Sequence, residues 1–280
     1  QMTRPVRSML YIPGSKQRAL EKAKELDADA IIFDLEDAVA PDEKAKARDT
    51  LMRFLTDEDY GQRLRIVRIN ALDTAWGRED AAAFAALAGA DALLVPKVNR
   101  PADLDAVAEI TGQKPLWAMM ETSLGMLNAA AIAGHPRLVG MVMGTNDLAK
   151  DIGSRFRPDR LPLMAGLGLC VLAAKAYGRL IVDGVYTAFK DEAGLQDECT
   201  QGRDMGFDGK TLVHPAQLAI ANATFAPTED EIALARRQIA AFNEAQRAGQ
   251  GVAVVDGRIV ENLHVVTAQV TLARARSEEH

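Results

Sequence analysis

The feature that most constrains the fold is a regular succession of eight short apolar runs along the 280-residue chain. The runs end near positions 13, 37, 70, 97, 121, 147, 186 and 215, so consecutive ends lie 24 to 39 residues apart. Each interval has room for one strand, one helix and two loops, because the intervening segments carry apolar residues at helical spacing. Near-continuous apolar runs are typical of parallel strands that are buried on both faces.

Eight βα units predict a (β/α)8 TIM barrel, an α/β fold whose usual length is about 250 residues. A doubly wound open sheet is the alternative, but it ordinarily has a G-x-G-x-x-G turn after an early strand. The first run is instead followed by "IPGSKQRA", which lacks that pattern. We therefore predict a barrel domain over residues 4–226.

The last part of the chain exceeds what a barrel needs. It contains an amphipathic helical pattern, then "QGVAVVDGRIVENL", which predicts a β-hairpin with "DG" as its turn, and then a second helical pattern. We predict a C-terminal helix–hairpin–helix extension over residues 227–276. It is a candidate for a lid or an oligomer contact.

Charge and composition narrow the classes of partner. The net charge is −6 and the pI is near 5.4, which disfavours nucleic acid, although a local basic patch can still hold phosphates. No window is long and apolar enough to predict a membrane span. Cys170 and Cys199 lack a metal-binding spacing, which favours a reducing cytoplasm.

Polar residues occupy the carboxyl ends of the runs, where the active site of such a barrel lies. They are Asp34, Glu36, Asp37, Arg68, Asn70, Lys97, Glu121, Asn146, Asp147, Asp183, Lys210 and His214. Strand alternation places Arg68 and Asn70 on one face, and Lys97 on the face of Leu93 and Val95. We expect an arginine, a lysine and several carboxylates to converge on one mouth.

Glu121 and Asp147 end neighbouring runs, so their side chains can approach one another. Two carboxylates in an enclosed mouth repel unless one is protonated or a cation lies between them. A few hard oxygen ligands, with room for water and substrate, suit Mg²⁺, with Mn²⁺ as the alternative ion. The competing interpretation is that each acid is paired with Arg68 or Lys97.

Three further basic positions have two interpretations each. Arg68 has the fork geometry to bind a substrate carboxylate, or it forms an ion pair with an acid of the second run. Lys16 and Arg18 lie near a predicted helix start and can cradle phosphates, or they belong to a solvated helix face. His214 precedes a proline and is interpreted as structural.

Several motifs together resemble one family. The segments "IIFDLEDAVAPDEKAKAR", "METSLGMLNAAAIA", "GTNDLAKDIG" and "DGKTLVHPAQ" are similar to the CitE-like branch of the HpcH/HpaI aldolase and citrate lyase beta subunit family. The likeness covers nearly the whole chain. It is greatest to members that hydrolyse (3S)-malyl-CoA or cleave malyl-CoA or citramalyl-CoA.

This resemblance implies a Mg²⁺-dependent TIM barrel that acts on 3-hydroxyacyl-CoA thioesters and assembles as a homotrimer or homohexamer. It implies that Glu121 and Asp147 are the metal ligands and that Arg68 holds the substrate. The family's basic positions near "RS" and "GSKQR" correspond to Arg7, Lys16 and Arg18, which are expected to contact the CoA phosphates. Lys97 is also expected at the substrate, and Asp37 among the catalytic residues.

One position departs from the resemblance. Many lyases of the family carry an aspartate in the C-terminal hairpin that reaches a neighbouring subunit's site, whereas this chain has Glu261 in "RIVENLH". The longer side chain favours hydrolysis of (3S)-malyl-CoA to malate and CoA, with Glu261 as a catalytic base. The alternatives are a C–C lyase for malyl-, methylmalyl- or citramalyl-CoA, a citrate lyase beta subunit, phosphoenolpyruvate-type chemistry, and a CoA-ester binding protein without turnover.

Overall fold

The computed structural model describes residues 4–278, with side chains through residue 275, and contains a closed barrel of eight parallel strands in sequential order. The strands are β1 (Ser8–Pro13), β2 (Ala30–Asp34), β3 (Leu64–Arg68), β4 (Ala92–Val95), β5 (Leu116–Met120), β6 (Leu138–Met143), β7 (Leu180–Asp183) and β8 (Gly209–Leu212). Each predicted run contains one strand. The (β/α)8 prediction is therefore confirmed.

Helices follow the strands as the helical spacing predicts. They are α1 (Gln17–Lys22), α2 (Lys44–Asp57), α3 (Gly77–Ala85), α4 (Pro101–Thr111), α5 (Ser123–Leu127), α6 (Ala129–Ala133), α7 (Thr145–Ile152), α8 (Met164–Ala176), α9 (Glu192–Met205) and α10 (Leu218–Phe225). The helix α5 begins at a threonine cap, since the hydroxyl of Thr122 accepts the amide N–H of Gly125 at 2.9 Å.

The barrel interior is a packed apolar core and not a channel. It contains Met9, Ile32, Ile66, Leu94, Trp117, Met119, Val142 and Val182, all of them buried. Successive strand residues alternate between the interior and the helices, so the residue two positions after an interior residue also faces inward. That rule places Asp34 above Ile32, Arg68 above Ile66 and Glu121 above Met119, at the carboxyl end of the barrel.

The described residues divide into two compact units, one of residues 6–223 and one of residues 4–5 and 224–278. The predicted domain boundary at 226/227 falls just after α10, and the division between the units falls inside that helix. The described part of the second unit contains α11 (Glu229–Arg247), the antiparallel pair β9 (Ala253–Val255) and β10 (Arg258–Val260), and α12 (Asn262–Glu278). The predicted helix–hairpin–helix extension is therefore confirmed.

An apolar cluster fixes the hairpin of the second unit to its helices. Phe242 and Ala245 of α11 pack with Val260 of β10 and Val265 of α12. The hairpin turn has Asp256 at a φ of 51° and Gly257 at a φ of 75°, the left-handed pair that a type I′ turn requires. None of the helices in the described residues is both long and apolar enough to cross a lipid bilayer.

Candidate active site

A cavity of about 290 Å³ lies at the carboxyl end of the barrel. Its lining includes eight polar or aromatic side chains, Tyr11, Asp34, Asp37, Arg68, Glu121, Thr145, Asn146 and Asp147. Six of the polar residues predicted at the ends of the runs therefore share one cavity, where sequence analysis expects the mouth.

Glu121 is a buried acid of this cavity, with an exposed fraction of 2%. Its Oε1 atom accepts the backbone N–H of Lys97 at 2.8 Å. Burial raises the pKa of Glu121 to about 8, the Lys97 N–H opposes that rise, and the charges of Asp147 and Glu36 add to it. A cation between the two side chains would stabilise the charged form of a carboxylate that is buried beside another carboxylate.

Asp147 reaches the cavity from a helix and not from a strand. The strand β6 ends at Met143, and Asp147 lies in the first turn of α7, where the helix dipole favours a negative charge. Gly144 allows this close approach, because a Cβ atom at that position would lie 2.6 Å from Oε2 of Glu121. The two carboxylates line the same cavity, as predicted.

The backbone N–H of Lys97 contacts Glu121 at the mouth, although strand alternation does not place Lys97 on the inward face of β4. The inward residues of β4 are Ala92 and Leu94, so the face of Leu93 and Val95 points away from the interior. After the strand, Lys97 adopts a left-handed backbone with a φ of 49°, and its exposed side chain lies in a field of carboxylates. Burial lowers the pKa of Lys97, but the surrounding acids, with Glu36 the first of them, raise it overall.

Arg68 is held by an ion pair inside the mouth. Its Nε and Nη2 atoms donate to Oδ1 and Oδ2 of Asp34 at 2.8 and 2.6 Å, and Glu36 lies 3.6 Å away. The guanidinium also lies over the ring of Tyr11, 4.8 Å from its centroid. The ion pair that sequence analysis left open is therefore present. It fixes Arg68 in place and occupies two of the five N–H donors that a guanidinium has.

Arg7 is not at the mouth. It directly precedes β1, so it lies at the amino end of the barrel, opposite the cavity. Its Nε and Nη2 atoms donate to both carboxylate oxygens of Asp29 at 2.8 Å. The expected contact of Arg7 with CoA phosphates stays a prediction, and this placement away from the cavity does not favour it, because the resemblance assigned a role to the segment without fixing which end of the strand it occupies.

Four other polar residues at run ends stabilise the fold. Asn70 donates to Asp80 and accepts from Lys44, between helices. Asp183 and Lys210 are fully buried and form an ion pair at 3.4 Å. His214 accepts the backbone N–H of Ala216 and stacks on Phe189, in agreement with its structural interpretation. The carboxyl ends of the strands therefore carry residues that line the cavity and residues that stabilise the fold around it.

The remaining predicted residues occupy different places. Lys16 and Arg18 are exposed and follow β1, so they lie at the same end of the barrel as the mouth. Asp37 is exposed and lines the cavity. Glu261 is an exposed residue of the second unit, between β10 and α12, and its backbone N–H donates to Nδ1 of His264.

Sequence reasoning missed Tyr11, which lines the cavity and supports Arg68. The signal was present, because Tyr11 is two residues after the interior Met9 in β1 and therefore shares its face. The hydroxyl of Tyr11 lies 3.5 Å from Sδ of Met119, which directs the ring across the barrel.

The free energy of unfolding of the metal-free protein is expected to decrease as the pH rises from 5 to 8. Burial raises the pKa of Glu36 to about 7, with Arg68 opposing the rise and Asp37 and Asp34 adding to it. Because the folded pKa exceeds the unfolded one, protonated Glu36 contributes stability at low pH that is lost as the pH rises through 7. Glu36→Gln should remove up to about 3 kcal/mol of this decrease.

Urea denaturation at pH 5, 6, 7 and 8 measures this effect. Glu79→Gln is the control, because the side chain of Glu79 is 75% exposed and its ion pair with Arg48 is solvated. The control profile should follow that of the unmodified protein. If the Glu36→Gln profile also follows it, burial does not raise the pKa of Glu36.

Comparison with known proteins gives consistent results. The family model for HpcH/HpaI aldolase/citrate lyase matches residues 7–215. A (3S)-malyl-CoA thioesterase of Cereibacter sphaeroides (strain ATCC 17029 / ATH 2.4.9) is 71% identical over 273 residues, which cover 98% of this chain and 95% of that protein. Citrate lyase subunit beta of Leuconostoc mesenteroides subsp. cremoris is 35% identical, with 97% and 93% covered.

A solved structure extends the likeness to three dimensions. It is the protein CitE from Mycobacterium tuberculosis in complex with magnesium, acetoacetate and coenzyme A, with a TM-score of 0.82 and 32% sequence identity. The match covers 97% of this chain and 98% of that one. The chain therefore belongs to the HpcH/HpaI aldolase/citrate lyase family, as its motifs predict.

Proposed function

We propose that this protein hydrolyses (3S)-malyl-CoA to malate and CoA with Mg²⁺ as cofactor. The observation that supports it most is the 71% identity to a (3S)-malyl-CoA thioesterase over 98% of the chain. The mouth agrees with this activity, because it contains two carboxylates for a metal ion and an arginine for an acyl carboxylate. In more general terms, the protein is an enzyme of the hydrolase/lyase kind.

Glu121 and Asp147 fit a magnesium site. The described residues contain no cluster of three or more His, Cys, Asp or Glu side chains placed as metal ligands. Mg²⁺ does not need one, since it is commonly bound by one or two carboxylates with water and substrate oxygens in its other positions. The raised pKa of Glu121 beside Asp147 is the physical reason to place a cation there. Mn²⁺ remains the alternative ion.

The metal, when bound, supplies Lewis-acid polarisation and charge neutralisation at the acyl group. Arg68, held by Asp34, directs its remaining N–H donors at the substrate's carboxylate. Lys97 fixes the carboxylate of Glu121 with its backbone N–H and contributes positive charge with its side chain. The chain thus orients the acyl group so that its thioester carbonyl faces water.

Hydrolysis then requires a base that takes a proton from the attacking water. A C–O bond forms at the thioester carbon, the C–S bond breaks, and CoA leaves as the thiol after protonation. We assign the base to Glu261, and we place it on a neighbouring subunit of a homotrimer or homohexamer. Asp37, which lines the mouth, is the remaining proposed catalytic acid.

The CoA phosphates are assigned to Lys16 and Arg18, exposed beside the carboxyl end of β1. A diphosphate at two lysine or arginine side chains gains charge-assisted contacts. Arg7 is left out of this assignment because it lies at the opposite end of the barrel in a fork with Asp29. A cytoplasmic location and the absence of nucleic-acid and membrane partners remain predictions.

Glu261→Gln is expected to lower malyl-CoA hydrolysis by about 10²- to 10⁴-fold, the usual contribution of a general base. Substrate binding should change little, because glutamine has the same shape. Glu244→Gln, at another exposed glutamate of the same unit, is the matched control and should keep full turnover. Equal rates for both variants would remove Glu261 from the mechanism.

Product analysis decides between hydrolysis and cleavage. (3S)-malyl-CoA is incubated with the protein and Mg²⁺, and free CoA, malate, acetyl-CoA and glyoxylate are measured separately. Malate and CoA in equal amounts are the expected products. Acetyl-CoA with glyoxylate would instead identify a C–C lyase.

A further inference from the structure

A second cavity lies beside the mouth, and the proposed reaction does not use it. It has a volume of about 240 Å³ and shares Thr145, Asn146 and Val185 with the mouth. Residues 154–157 of the loop that follows α7 form part of its lining. An opening next to the reacting acyl group, inside the barrel unit, has access to small molecules that enter or leave the mouth.

Arg160 lies against this cavity with only 4% of its side chain exposed. Its Nη1 atom donates to Oδ1 of Asp183 at 2.8 Å, and its Nε atom donates to Oε1 of Gln201 at 2.9 Å. Within residues 4–275, no hydrogen-bond partner exists for its Nη2 atom. A buried guanidinium N–H without a partner is costly, so such a group is expected to receive an acceptor from a ligand or from water.

The backbone shows that Arg160 is held in place. Its φ of 57° is in the left-handed region, which a non-glycine residue adopts at a cost unless the surrounding contacts impose it. The ion pair with Asp183 and the bond to Gln201 impose it here. The direction of Nη2 is therefore a fixed property of the fold.

The rest of the lining fits a small carboxylic acid. Arg155 and Arg157 are exposed at the rim, and Arg157 is ion-paired with Asp159 at 2.6 Å. Glu198 also lines the cavity, but Lys210 donates to it at 2.7 Å, so its charge is compensated. The apolar lining of Phe156, Pro162, Leu163 and Val185 suits a short carbon chain.

We propose that this side cavity is a carboxylate site for a small organic acid, with Nη2 of Arg160 as its buried donor. The carboxylate belongs either to a free acid or to the acyl group of a CoA thioester that extends from the mouth. The guanidinium of Arg160 can donate to the carboxylate from either source. The experiment distinguishes these two sources.

Calorimetric titration of Glu121→Gln protein measures the site, because that background removes one of the two proposed metal ligands and slows turnover by about 10³-fold or more. The probes are sodium (S)-malate, its neutral diamide and (3S)-malyl-CoA. We expect malate to bind and the diamide to bind at least about tenfold more weakly, since the diamide lacks the charge. Addition of Arg160→Lys should weaken carboxylate binding by about tenfold or more, because the single ammonium nitrogen of lysine can keep the Asp183 pair but lysine has no second nitrogen to place in the cavity.

Two further variants keep the result interpretable if Arg160→Lys unfolds. Ala188→Phe places a large ring in the cavity from an exposed loop position, so it should weaken binding as strongly. Ala102→Phe, at an exposed position of α4, is the matched control and should leave binding unchanged.

The outcome has three forms. Weakened binding of malate in the cavity variants identifies a free acid, and weakened binding of malyl-CoA alone identifies the acyl group. Unchanged binding of both probes in Arg160→Lys and Ala188→Phe overturns the proposal. Nη2 of Arg160 would then be a donor to water. These measurements are made at equilibrium, so they stand apart from the products that test hydrolysis.

Discussion

Replacing Glu121 with glutamine is expected to lower the turnover of (3S)-malyl-CoA by about 10³-fold or more. The glutamine keeps the shape of the side chain, but it loses the negative charge that holds a divalent cation next to Asp147. Metal polarisation contributes several kcal/mol to such reactions, and each 1.36 kcal/mol corresponds to about tenfold in rate. Steady-state rates over a Mg²⁺ titration, with equilibrium dialysis of Mg²⁺, measure both consequences.

The loss should not come from unfolding. The pKa of Glu121 is raised to about 8 by burial, so its ionised form destabilises the metal-free fold above that pH. A neutral amide avoids this cost, and the metal-free Glu121→Gln protein is expected to melt at the same or a higher temperature at pH 8.5. Loss of turnover without loss of stability then reports on the metal site.

Two companion variants define the result. Asp147→Asn should behave like Glu121→Gln, because both acids line one cavity. Glu58→Gln is the control, since its ion pair with Lys24 is at the barrel surface and contributes little. Near-full turnover of Glu121→Gln with stoichiometric Mg²⁺ would contradict the metal assignment.

The regular spacing of the eight apolar runs and the alternation of residues along each strand predict most of the barrel. Ile32, Ile66 and Met119 are interior residues, and the polar residues two positions later are Asp34, Arg68 and Glu121. An alternating strand therefore carries the information that places these three at the mouth. The apolar runs are longer than the strands, which end before Lys97, Glu121 and Asp147.

Strand alternation does not predict the directions of side chains that follow the last residue of a strand. Lys97, in a left-handed backbone conformation, binds Glu121 through its backbone N–H, and Asp147 lies on the first turn of a helix. Asn70 shares the parity of Arg68, yet it binds Lys44 and Asp80 instead of facing the cavity. These directions depend on loop dihedrals and on partners distant in sequence, which no local pattern records.

The orientation of Arg160 has the same origin. Its partners Asp183 and Gln201 are 23 and 41 residues away, and its backbone conformation is one that sequence disfavours for arginine. Nothing in "RFRPDRLPL" distinguishes a buried donor from a solvated loop residue. The side cavity therefore emerges only from the three-dimensional arrangement.

Arg68→Met is expected to lower the free energy of unfolding by about 3–5 kcal/mol, in addition to impairing turnover. The substitution keeps an apolar side chain against Tyr11 but removes the partner of Asp34, which is 1% exposed. A buried carboxylate whose cation is removed is strongly destabilising, because the charge stays desolvated. Urea denaturation at pH 7.5 measures the loss.

The double variant Asp34→Asn/Arg68→Met tests the cause of this loss. If the unpaired charge of Asp34 is responsible, neutralising it should recover a large part of the lost free energy, although the backbone N–H groups of Glu36 and Ala38 then lose a charged acceptor. Arg65→Met on the same strand is the matched control. Its ion pair with Asp91 is at 3.1 Å, with side chains 25% and 23% exposed, so its loss should cost about 1 kcal/mol or less. A similar loss for Arg65→Met and Arg68→Met would mean that burial of the Arg68–Asp34 pair does not determine its contribution to stability.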